Sequence, residues 1–197
     1  MTDATEMETR RLLLRPLQVS DAARTQELLP VWDVVRFLNP VVPWPYPPDG
    51  ALRYYRDVAL PAMEDGREWH WTLRLKDAPE AHIGAVCLVR DSPVDHRGFW
   101  LGLPWHGQGL MTEAAVAVMN FWFEVLERPV LRTSKAALNT GSVRVSEKTG
   151  MRFVGVEERA YVGGRSTAQM WEMTREEWVS KRADLRAMAG LRRERSV

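Results

Sequence analysis

The chain has a single cysteine, Cys87, among its 197 residues. A disulfide within one chain is therefore impossible, and because Cys87 lies in the apolar run 83–89 we expect its thiol to behave as a small buried hydrophobic group. Nowhere do eighteen apolar residues run together, so no transmembrane helix and no membrane partner are predicted. The acidic segment 1–6 has no apolar stretch that resembles a signal peptide. We therefore expect a cytoplasmic location.

An excess of charge of one sign is also lacking, since 27 Lys and Arg residues face 26 Asp and Glu residues and leave a net charge of +1. Such a surface does not concentrate DNA or RNA, so no nucleic-acid partner is expected. The locally basic segment 181–195 is typical of a solvated helix face or a frayed end. Because His82, His96 and His106 have no metal-ligand spacing, no metal is predicted.

The composition that remains, 45% hydrophobic and 27% charged, is that of an ordinary globular protein with a sizeable core. The length favours one domain, and we find no internal repeat or low-complexity linker. Alternation and helical spacing predict a mixed α/β order with a strand-helix-strand crossover in the middle. The predicted strands cover 11–17, 68–75, 82–90, 99–103, 130–136, 153–162 and 169–173, and the predicted helices begin at Asp21 with Ser20 as cap and cover 49–64, 109–126, 142–149 and 176–188.

A strand that ends near Leu103 is followed by the turn His106-Gly107-Gln108-Gly109 and then by the longest predicted helix. Glycines let the backbone curl so that successive N–H groups point inward, and the first helical amides add donors for a phosphate. A Gly-x-Gly pair alone is a weak signal. The Walker pattern and the third glycine and distal acidic residue of a dinucleotide fingerprint are both missing from the sequence.

Specificity comes from a second segment, Asn139 to Met151, which reads Asn-x-x-Ser-x-Arg-x-x-Glu-Lys-x-Gly within its length. Together with Gly107 to Ala114 it resembles the GNAT acetyltransferase superfamily. The opening Arg10 to Pro16, the loop Trp44-Pro45-Tyr46 and the segment Trp171 to Trp178 resemble its RimJ/RimL-type branch, which acetylates ribosomal-protein alanines. The resemblance spans roughly residues 8 to 178.

This resemblance implies an α+β GNAT fold, with a mixed, mostly antiparallel sheet of six to seven strands, a central splayed strand pair and flanking helices. We accordingly predict one acetyltransferase domain over 1–197, with its core at about 8–178 and a C-terminal helix and basic tail at 179–197. The implied activity is transfer of an acetyl group from acetyl-CoA, as co-substrate, to a primary amine, by direct transfer in a ternary complex. The expected assembly is a monomer or a homodimer.

The coenzyme pattern of the family, Gln/Arg-x-x-Gly-x-Gly/Ala, falls on residues 106–111, where His106 replaces the long polar first residue and Met111 a small last one. Main-chain N–H groups from His106 to Thr112 are implied to hold the pyrophosphate. Backbone groups on the preceding strand are implied to pair with pantetheine, and Asn139 to hydrogen-bond it, with Lys148 near the adenosine phosphates. The residues expected at the coenzyme are Trp100, Leu101, Leu103, His106, Gly107, Gln108, Gly109, Leu110, Met111, Thr112, Asn139, Ser142 and Lys148.

Acyl transfer to an amine needs a neutral nucleophile, a stabilised oxyanion and a proton for the leaving thiolate. A backbone N–H near Leu101 is the candidate for the oxyanion. Where many relatives have a tyrosine that protonates the thiolate, this chain has Ser142, as the RimJ/RimL-type branch often does. The alternative interpretation of Ser142 is a helix cap.

Glu68 and His70 are the candidates for the general base, because their strand is expected to face the acceptor cleft. Alternation places both on one face, with Trp69 and Trp71 on the other. His70 has an unperturbed pKa range suited to accepting a proton near neutral pH. The alternative is a histidine packed among tryptophans and hydrogen-bonded to a carbonyl.

The proline-rich loop 40–48 supplies rigid aromatic contact area, so Trp44 and Tyr46, with Tyr55 from the next helix, are candidates for the acceptor pocket. Alternatively they only cap the core. The first expectation for the acceptor is a protein or peptide N-terminal amine, from the branch resemblance alone. The alternatives are a small-molecule amine, such as an antibiotic or a metabolite, and a non-catalytic acyl-CoA-binding protein.

Overall fold

A computed structural model describes residues 3–191. The end of the predicted basic tail, residues 192–195, lies outside the described residues. Eight β-strands and seven α-helices follow one another over the described range, in the mixed order that the sequence predicts. The strands are β1 (Met7–Glu8), β2 (Leu12–Pro16), β3 (Glu68–Leu75), β4 (Ala78–Val89), β5 (Arg97–Leu101), β6 (Val130–Ala136), β7 (Arg152–Tyr161) and β8 (Gly164–Thr174).

The first five strands form one sheet in the order β1-β2-β3-β4-β5, with every neighbouring pair antiparallel. The predicted antiparallel meander of β3, β4 and β5 is confirmed. Its register sets His70 opposite Cys87, and Cys87 opposite Gly98. Because side chains alternate along a strand, Trp69 and Trp71 enter the core on one face while His70 faces the other side.

The last three strands form a second antiparallel sheet in the order β6-β8-β7. The expectation of six to seven strands in one sheet is therefore corrected to eight strands in two sheets. The additional strand, Met7–Glu8, has only two residues, too few for any alternation to be read. The α+β class and the antiparallel pairing are as predicted.

The two sheets meet where β5 and β6 begin. The N–H of His96 donates to the carbonyl of Arg132 at 2.9 Å, and the Thr133 hydroxyl donates to the Arg97 carbonyl at 3.3 Å. No ladder joins β5 to β6 over the described residues. The strands are thus tied at their beginnings and unpaired beyond, which leaves a gap that we call the wedge, between Gly98–Leu101 and Ser134–Ala136.

The helices are α1 (Ala22–Leu28), α2 (Trp32–Val35), α3 (Gly50–Tyr54), α4 (Leu60–Glu64), α5 (Leu110–Asn120), α6 (Thr140–Lys148) and α7 (Arg175–Ala189). Wider π-helical turns, Tyr55–Ala59 and Phe121–Val125, join α3 to α4 and extend α5. Every residue of α5 from Leu110 to Met119 is buried, so this helix forms the centre of the core. Trp71 packs edge-on against Phe121, with ring centroids 5.2 Å apart.

Two details of the helices differ from expectation or sharpen it. Ser20 does not cap α1, because a 3-10 turn over Val19–Asp21 precedes the helix and the Asp21 carboxylate accepts the Gln18 N–H at 3.0 Å. Helix α7 packs on its own chain, where fully buried Trp178 stacks on Phe123 with centroids 5.5 Å apart. Within residues 3–191, no helix has the length and apolar character needed to cross a bilayer.

Candidate functional site

The turn before α5 has the geometry that its glycines predict. Gly107 and Gly109 have φ angles of 74° and 77°, a region that side-chain-bearing residues rarely adopt. The N–H of Glu113 closes the first helical hydrogen bond, to the Gly109 carbonyl at 3.1 Å. Among the described residues, none of the N–H groups from Gly107 to Thr112 has an acceptor. Six consecutive unpaired donors at a helix N-terminus fit a phosphate.

His106 differs from its expected place in this set of donors. Its own N–H is used, because it donates to the Leu103 carbonyl at 3.1 Å. Its side chain turns back to β5, where Nε2 donates to the Leu101 carbonyl at 2.7 Å. The main-chain donor set therefore begins at Gly107, and the Leu101 carbonyl, expected to be free for pantetheine, already has a partner. The Leu103 carbonyl is likewise occupied.

The N–H of Leu101 nevertheless points away from its own sheet. The N–H of Gly102 donates to the Ile83 carbonyl at 2.9 Å, and adjacent residues of an antiparallel strand direct their polar groups to opposite sides. The backbone groups of Leu101 therefore face the wedge and β6. This orientation is the one that an oxyanion donor at Leu101 requires.

A buried carboxylate that was not among the predicted site residues holds the turn in place. Glu113, 5% exposed, accepts the Arg11 N–H at 2.6 Å, the Arg11 Nε at 2.9 Å and the Thr9 hydroxyl at 2.5 Å. Arg11 Nη1 also donates to the Gln108 carbonyl at 3.0 Å. The chain segment before β2 thus fixes both the turn and the first turn of α5. The available signal was an acidic residue in a first helical turn.

One cavity of about 950 Å³ joins the turn to the strand that carries Glu68 and His70. It brings most of the predicted residues together and leaves two out. Gln108 lies outside because its amide donates to the Pro104 carbonyl at 2.9 Å, and Trp44 lies outside because it packs on Trp32 with centroids 5.4 Å apart. The predicted residues on the cavity wall are Tyr46, Tyr55, Glu68, His70, Trp100, Leu101, Leu103, His106, Gly107, Gly109, Leu110, Met111, Thr112, Asn139, Ser142 and Lys148.

Helix α6 presents Asn139 and Ser142 to this cavity. The cap of the helix is Asn139, whose side-chain oxygen accepts the Ser142 N–H at 3.1 Å. The alternative interpretation of Ser142 as the cap is therefore wrong. Ser142 is half-buried on the cavity wall, and within the described residues its hydroxyl has no hydrogen-bond partner, and the Asn139 amide nitrogen is equally without one.

Glu68 and His70 form a pair on the cavity wall. His70 Nε2 lies 2.6 Å from Glu68 Oε2, and the His70 side chain is almost fully buried. The expected shared face of the two residues is confirmed, and the partner of His70 is this carboxylate rather than a carbonyl. Tyr54 packs edge-on against the His70 ring, with centroids 6.3 Å apart, and burial raises the pKa of the Tyr54 hydroxyl.

Cys87, directly opposite His70 in the sheet, is half-buried and also reaches the cavity. Burial, together with the nearby Glu68 carboxylate, raises the pKa of its thiol to about 12, so Cys87 stays protonated at neutral pH. The sequence predicted a small buried hydrophobic group here. It behaves as one chemically, although its position is the cavity wall.

The two tyrosines expected at the acceptor pocket occupy its walls in different ways. Tyr55 is 3% exposed, and its hydroxyl lies 2.6 Å from the Thr25 hydroxyl, which contacts His82 Nε2 at 3.0 Å. Tyr46 is half-buried against the same small cluster. Tyr54, which the sequence analysis passed over, contacts His70 directly and projects further into solvent, at 41% exposed.

Two buried cations in the wedge complete the wall, and neither was expected. Lys135 on β6 is 8% exposed, with Nζ 4.7 Å from the centroid of the Phe99 ring. Arg97 on β5 is 1% exposed, and its guanidinium contacts the sulfurs of Met119 and Met151. Burial, with Arg97 nearby, lowers the pKa of Lys135 to about 7, and burial lowers the pKa of Arg97 to about 10.

A family model described as an acetyltransferase (GNAT) domain matches residues 11–152, which include the turn, the wedge and helix α6. The chain belongs to the GNAT acetyltransferase family. It is an acetyl-CoA-dependent N-acetyltransferase, as the resemblance implied. The match covers most of the cavity wall, so the family's use of acetyl-CoA applies to the region described above.

Solved structures of similar fold include other acetyltransferases. RimJ of Mycobacterium smegmatis, in complex with CoA-disulfide, has a TM-score of 0.76 at 18% identity, over 94% of each chain. The ribosomal-protein-S5-alanine acetyltransferase of Vibrio fischeri has a TM-score of 0.73 at 14% identity, over 88% of this chain and 98% of that one. A GCN5-related N-acetyltransferase of Brucella melitensis gives 0.70 at 17% identity, over 94% and 86%. At these low sequence identities, the comparison shows only that the proteins share a fold.

Within the described part of the GNAT chain, no group of three or more His, Cys, Asp or Glu residues has the arrangement of a metal site. His82 and His96 are both buried and hydrogen-bonded inside the protein, to Thr25 and to the Arg132 N–H respectively.

Proposed function

We propose that this acetyltransferase transfers the acetyl group to the N-terminal amine of a protein or peptide, in a cytoplasmic, single-domain enzyme of the RimJ/RimL type. The single observation that carries the proposed arrangement is the cavity that joins the unpaired N–H groups at 107–112 to the Glu68–His70 pair. In the proposed arrangement, acetyl-CoA occupies one end of this cavity and the acceptor amine the other. An α-amine acceptor is supported by the fold likeness to an S5-alanine acetyltransferase.

In the proposed complex, residues of the turn and of the N-terminus of α6 bind acetyl-CoA. The N–H groups from Gly107 to Thr112 hold the pyrophosphate, and the amide nitrogen of Asn139 donates to the pantetheine arm. Lys148, on the cavity wall, approaches the adenosine phosphates. The wedge then receives the thioester end, with the N–H of Leu101 facing the carbonyl oxygen.

The transfer step follows from this placement. His70, oriented by Glu68, accepts a proton from the acceptor ammonium directly or through water. The amine attacks the thioester carbon, and the Leu101 N–H stabilises the oxyanion. When the carbon–sulfur bond breaks, the Ser142 hydroxyl donates a proton to the thiolate and regains one, through water, from the nitrogen that attacked. Tyr46 and Tyr55 line the acceptor side of the cavity, and we retain Trp44 only as a support of that loop through Trp32.

A screen of amines monitored by thiol release tests this function. The panel contains peptides with alanine, serine or another residue at a free N-terminus, the same peptides with a blocked N-terminus, and small amines of the antibiotic and metabolite classes. Release of thiol with free peptides and none with blocked ones is the expected result. Turnover restricted to small amines would transfer the function to the second candidate.

Binding of acetyl-CoA, measured by calorimetry in parallel, separates catalysis from mere binding. A protein that binds acetyl-CoA and releases thiol with no amine in the panel is an acyl-CoA-binding protein. Absence of binding would contradict both interpretations. Sedimentation of the same preparation decides between the expected monomer and homodimer.

Ser142→Ala is the sharpest single test of the proposed leaving-group step. Because Asn139 remains as the cap and the Ser142 N–H is kept, the helix should form unchanged. We expect kcat to fall by about 10²-fold, the lower range for a lost acid catalyst, with the Kd for acetyl-CoA unaltered. Ser180→Ala on α7 is the matched control. An unchanged kcat would remove Ser142 from the mechanism.

A further inference from the structure

Lys135 and Arg97 are buried cations that no carboxylate among residues 3–191 contacts. Across the described residues neither forms an ion pair with a carboxylate, although most other arginines here do. The partners of Arg97 are two methionine sulfurs, its Nε has no partner, and the partner of Lys135 is the face of Phe99. Burying a charge without a counter-ion is costly, so this arrangement needs a reason.

The nearest acidic side chain, Asp95, is engaged elsewhere. Its Oδ1 accepts both the N–H and the hydroxyl of Ser134 at 2.7 Å, and its Oδ2 accepts Arg159 Nη2 at 3.1 Å. Three donors therefore engage both oxygens of this carboxylate. Asp95 lowers the cost of a charged Lys135 from a distance without contacting it.

The position of the two cations specifies where a ligand anion would lie. Both reach the cavity, and both belong to the strands that border the wedge. Phe99, which carries Lys135 on its ring, is two residues before Leu101. If the thioester carbonyl faces Leu101, as in the proposed function on which this step rests, the acyl chain beyond it extends along the wedge toward Phe99 and Lys135.

We propose that the wedge binds a carboxylate at the far end of the acyl chain, so that the enzyme accepts a short dicarboxylic acyl-CoA in addition to acetyl-CoA. Lys135 is the direct partner of that carboxylate, and Arg97 contributes charge from behind. A bound carboxylate favours the protonated form of Lys135, which burial otherwise disfavours. The acetyl group, with no charge, leaves Lys135 unpaired.

The chemical step balances as it does for acetyl transfer. The amine nitrogen forms a bond to the thioester carbon, the carbon–sulfur bond breaks, and the proton lost by the amine is matched by the proton gained by the coenzyme A thiol. The distal carboxylate takes no part in bond making. The product is an amide that carries a free carboxylate, in place of a neutral acetamide.

Succinyl-CoA and butyryl-CoA are the decisive pair of donors, because their acyl chains have equal length and differ in the terminal carboxylate. For the wild-type protein we expect a Kd for succinyl-CoA that is lower than that for butyryl-CoA by about tenfold or more, and thiol release from succinyl-CoA with the amine found in the screen. Equal affinities, or tighter binding of butyryl-CoA, would overturn the proposal.

Lys135→Met tests the assigned residue, since methionine keeps an unbranched side chain only one atom shorter and removes the charge. The preference for succinyl-CoA should disappear, while binding of acetyl-CoA is retained. Lys76→Met is the control, because Lys76 is exposed, pairs with Glu8 and lies outside the cavity. Should Lys135→Met fail to fold, the donor comparison on the wild-type protein still decides.

Other outcomes are distinguishable from these. The enzyme could prefer glycine to glycinamide as acceptor while it binds succinyl-CoA and butyryl-CoA equally well. That result would place the carboxylate on the acceptor and overturn the proposal. Turnover of acetyl-CoA and butyryl-CoA but not succinyl-CoA would overturn it while leaving the proposed function intact. Failure to release thiol from any donor would contradict the proposed function itself.

Discussion

At the scale of single residues, the pair Glu68 and His70 carries the proposed base. The His70 ring is held by the Glu68 carboxylate at 2.6 Å and by the edge of Tyr54, so its orientation toward the cavity is fixed. In other acyl-transfer enzymes, too, a third group such as a carboxylate orients the histidine that acts as the base. The function of the pair is therefore testable through the pH dependence of the rate.

We expect His70→Ala to lower kcat by about 10² to 10⁴-fold and to remove the acidic limb of the pH–rate profile, since the group whose protonation stops the reaction is gone. Glu68→Gln should lower kcat less, because the ring is then disoriented but present. The rate of thiol release is measured from about pH 5.5 to about pH 9. Glu80→Gln, an exposed position, is the control. Retention of the wild-type acidic limb by both variants would assign the base elsewhere.

A second histidine controls stability rather than turnover. His82 is 1% exposed, and burial lowers its pKa to about 4. In the unfolded chain the ordinary value is about 6.5, so between these two values the unfolded state binds more protons than the folded state. Stability is therefore full above about pH 6.5 and declines as the pH falls toward 4, by up to about 3 kcal/mol.

The His82→Gln variant, which keeps a hydrogen-bonding group near Thr25, isolates this effect. The unfolded and folded pKa values of His82, about 6.5 and about 4, define the pH range of the test. Within this range we expect the free energy of unfolding of the wild-type protein to fall more steeply than that of the variant. Urea denaturation at several pH values measures both curves. Parallel curves would show that His82 does not contribute.

Single residues also mark the limit of what the sequence predicts. The conformation of the turn was predictable because its glycines form a local pattern, whereas the roles proposed for Asn139 and Ser142 came from the family resemblance. The Leu101 contact of His106, the burial of Lys135 and the ties of Glu113 to Arg11 were not found. Each of these depends on a partner that is either in another element or oriented by it, and no local pattern encodes such a partner.

At the scale of elements, the residue that caps α6 combines a structural cap with a proposed ligand donor in one side chain. Asn139 uses its oxygen for the Ser142 N–H and leaves its amide nitrogen facing the cavity. An aspartate is an equally good cap and has no such donor. The two functions of Asn139 are therefore separable by a substitution of almost identical shape.

For Asn139→Asp we expect thermal stability within about 0.5 kcal/mol of the wild type, because the cap is kept. The Kd for acetyl-CoA should rise by about tenfold or more, since a donor is replaced by an anion. Asn139→Ala, in contrast, should lose about 1 kcal/mol of stability as well. Calorimetry and urea denaturation give the two quantities. Unchanged affinity in Asn139→Asp would remove Asn139 from the coenzyme site.

The elements themselves were largely predictable, and the exceptions have physical causes. The long helix from 109, the strand at 130–136 and the short helix before Gly150 follow from strong periodicity and from clear end signals. Strand β1 was missed because it is stabilised by pairing with β2 and has no pattern of its own. The splayed strand pair was implied only by the family resemblance, and the complete division into two sheets was not predicted, because a gap between strands leaves no mark in either strand.

At the scale of the whole molecule, one continuous cavity reaches both the turn and the Glu68–His70 pair. If acetyl-CoA and the amine bind together in this cavity, as proposed, the transfer needs no acetylated intermediate. Preorganised proximity then supplies a large part of the rate enhancement.

We accordingly expect sequential kinetics, with initial-rate lines that intersect when the concentrations of acetyl-CoA and amine are varied. Incubation with acetyl-CoA alone should release no stoichiometric burst of thiol. The burst is measured at enzyme concentrations comparable to that of the substrate, with boiled enzyme as the blank. Parallel lines together with a burst would indicate a covalent route and contradict direct transfer.

The hold of Arg11 and Thr9 on Glu113 also sets an order of events in time. These contacts join residues 102 and 104 positions apart in the chain. During synthesis the N-terminal segment leaves the ribosome long before its carboxylate partner exists, and loops of this length close slowly. We therefore expect the turn at 106–112 to be completed late, after most of the first sheet and of α5 has formed. The protein is therefore expected to become able to bind the coenzyme only late in folding, because Thr9 and Arg11 cannot make these contacts until Glu113 has been synthesised.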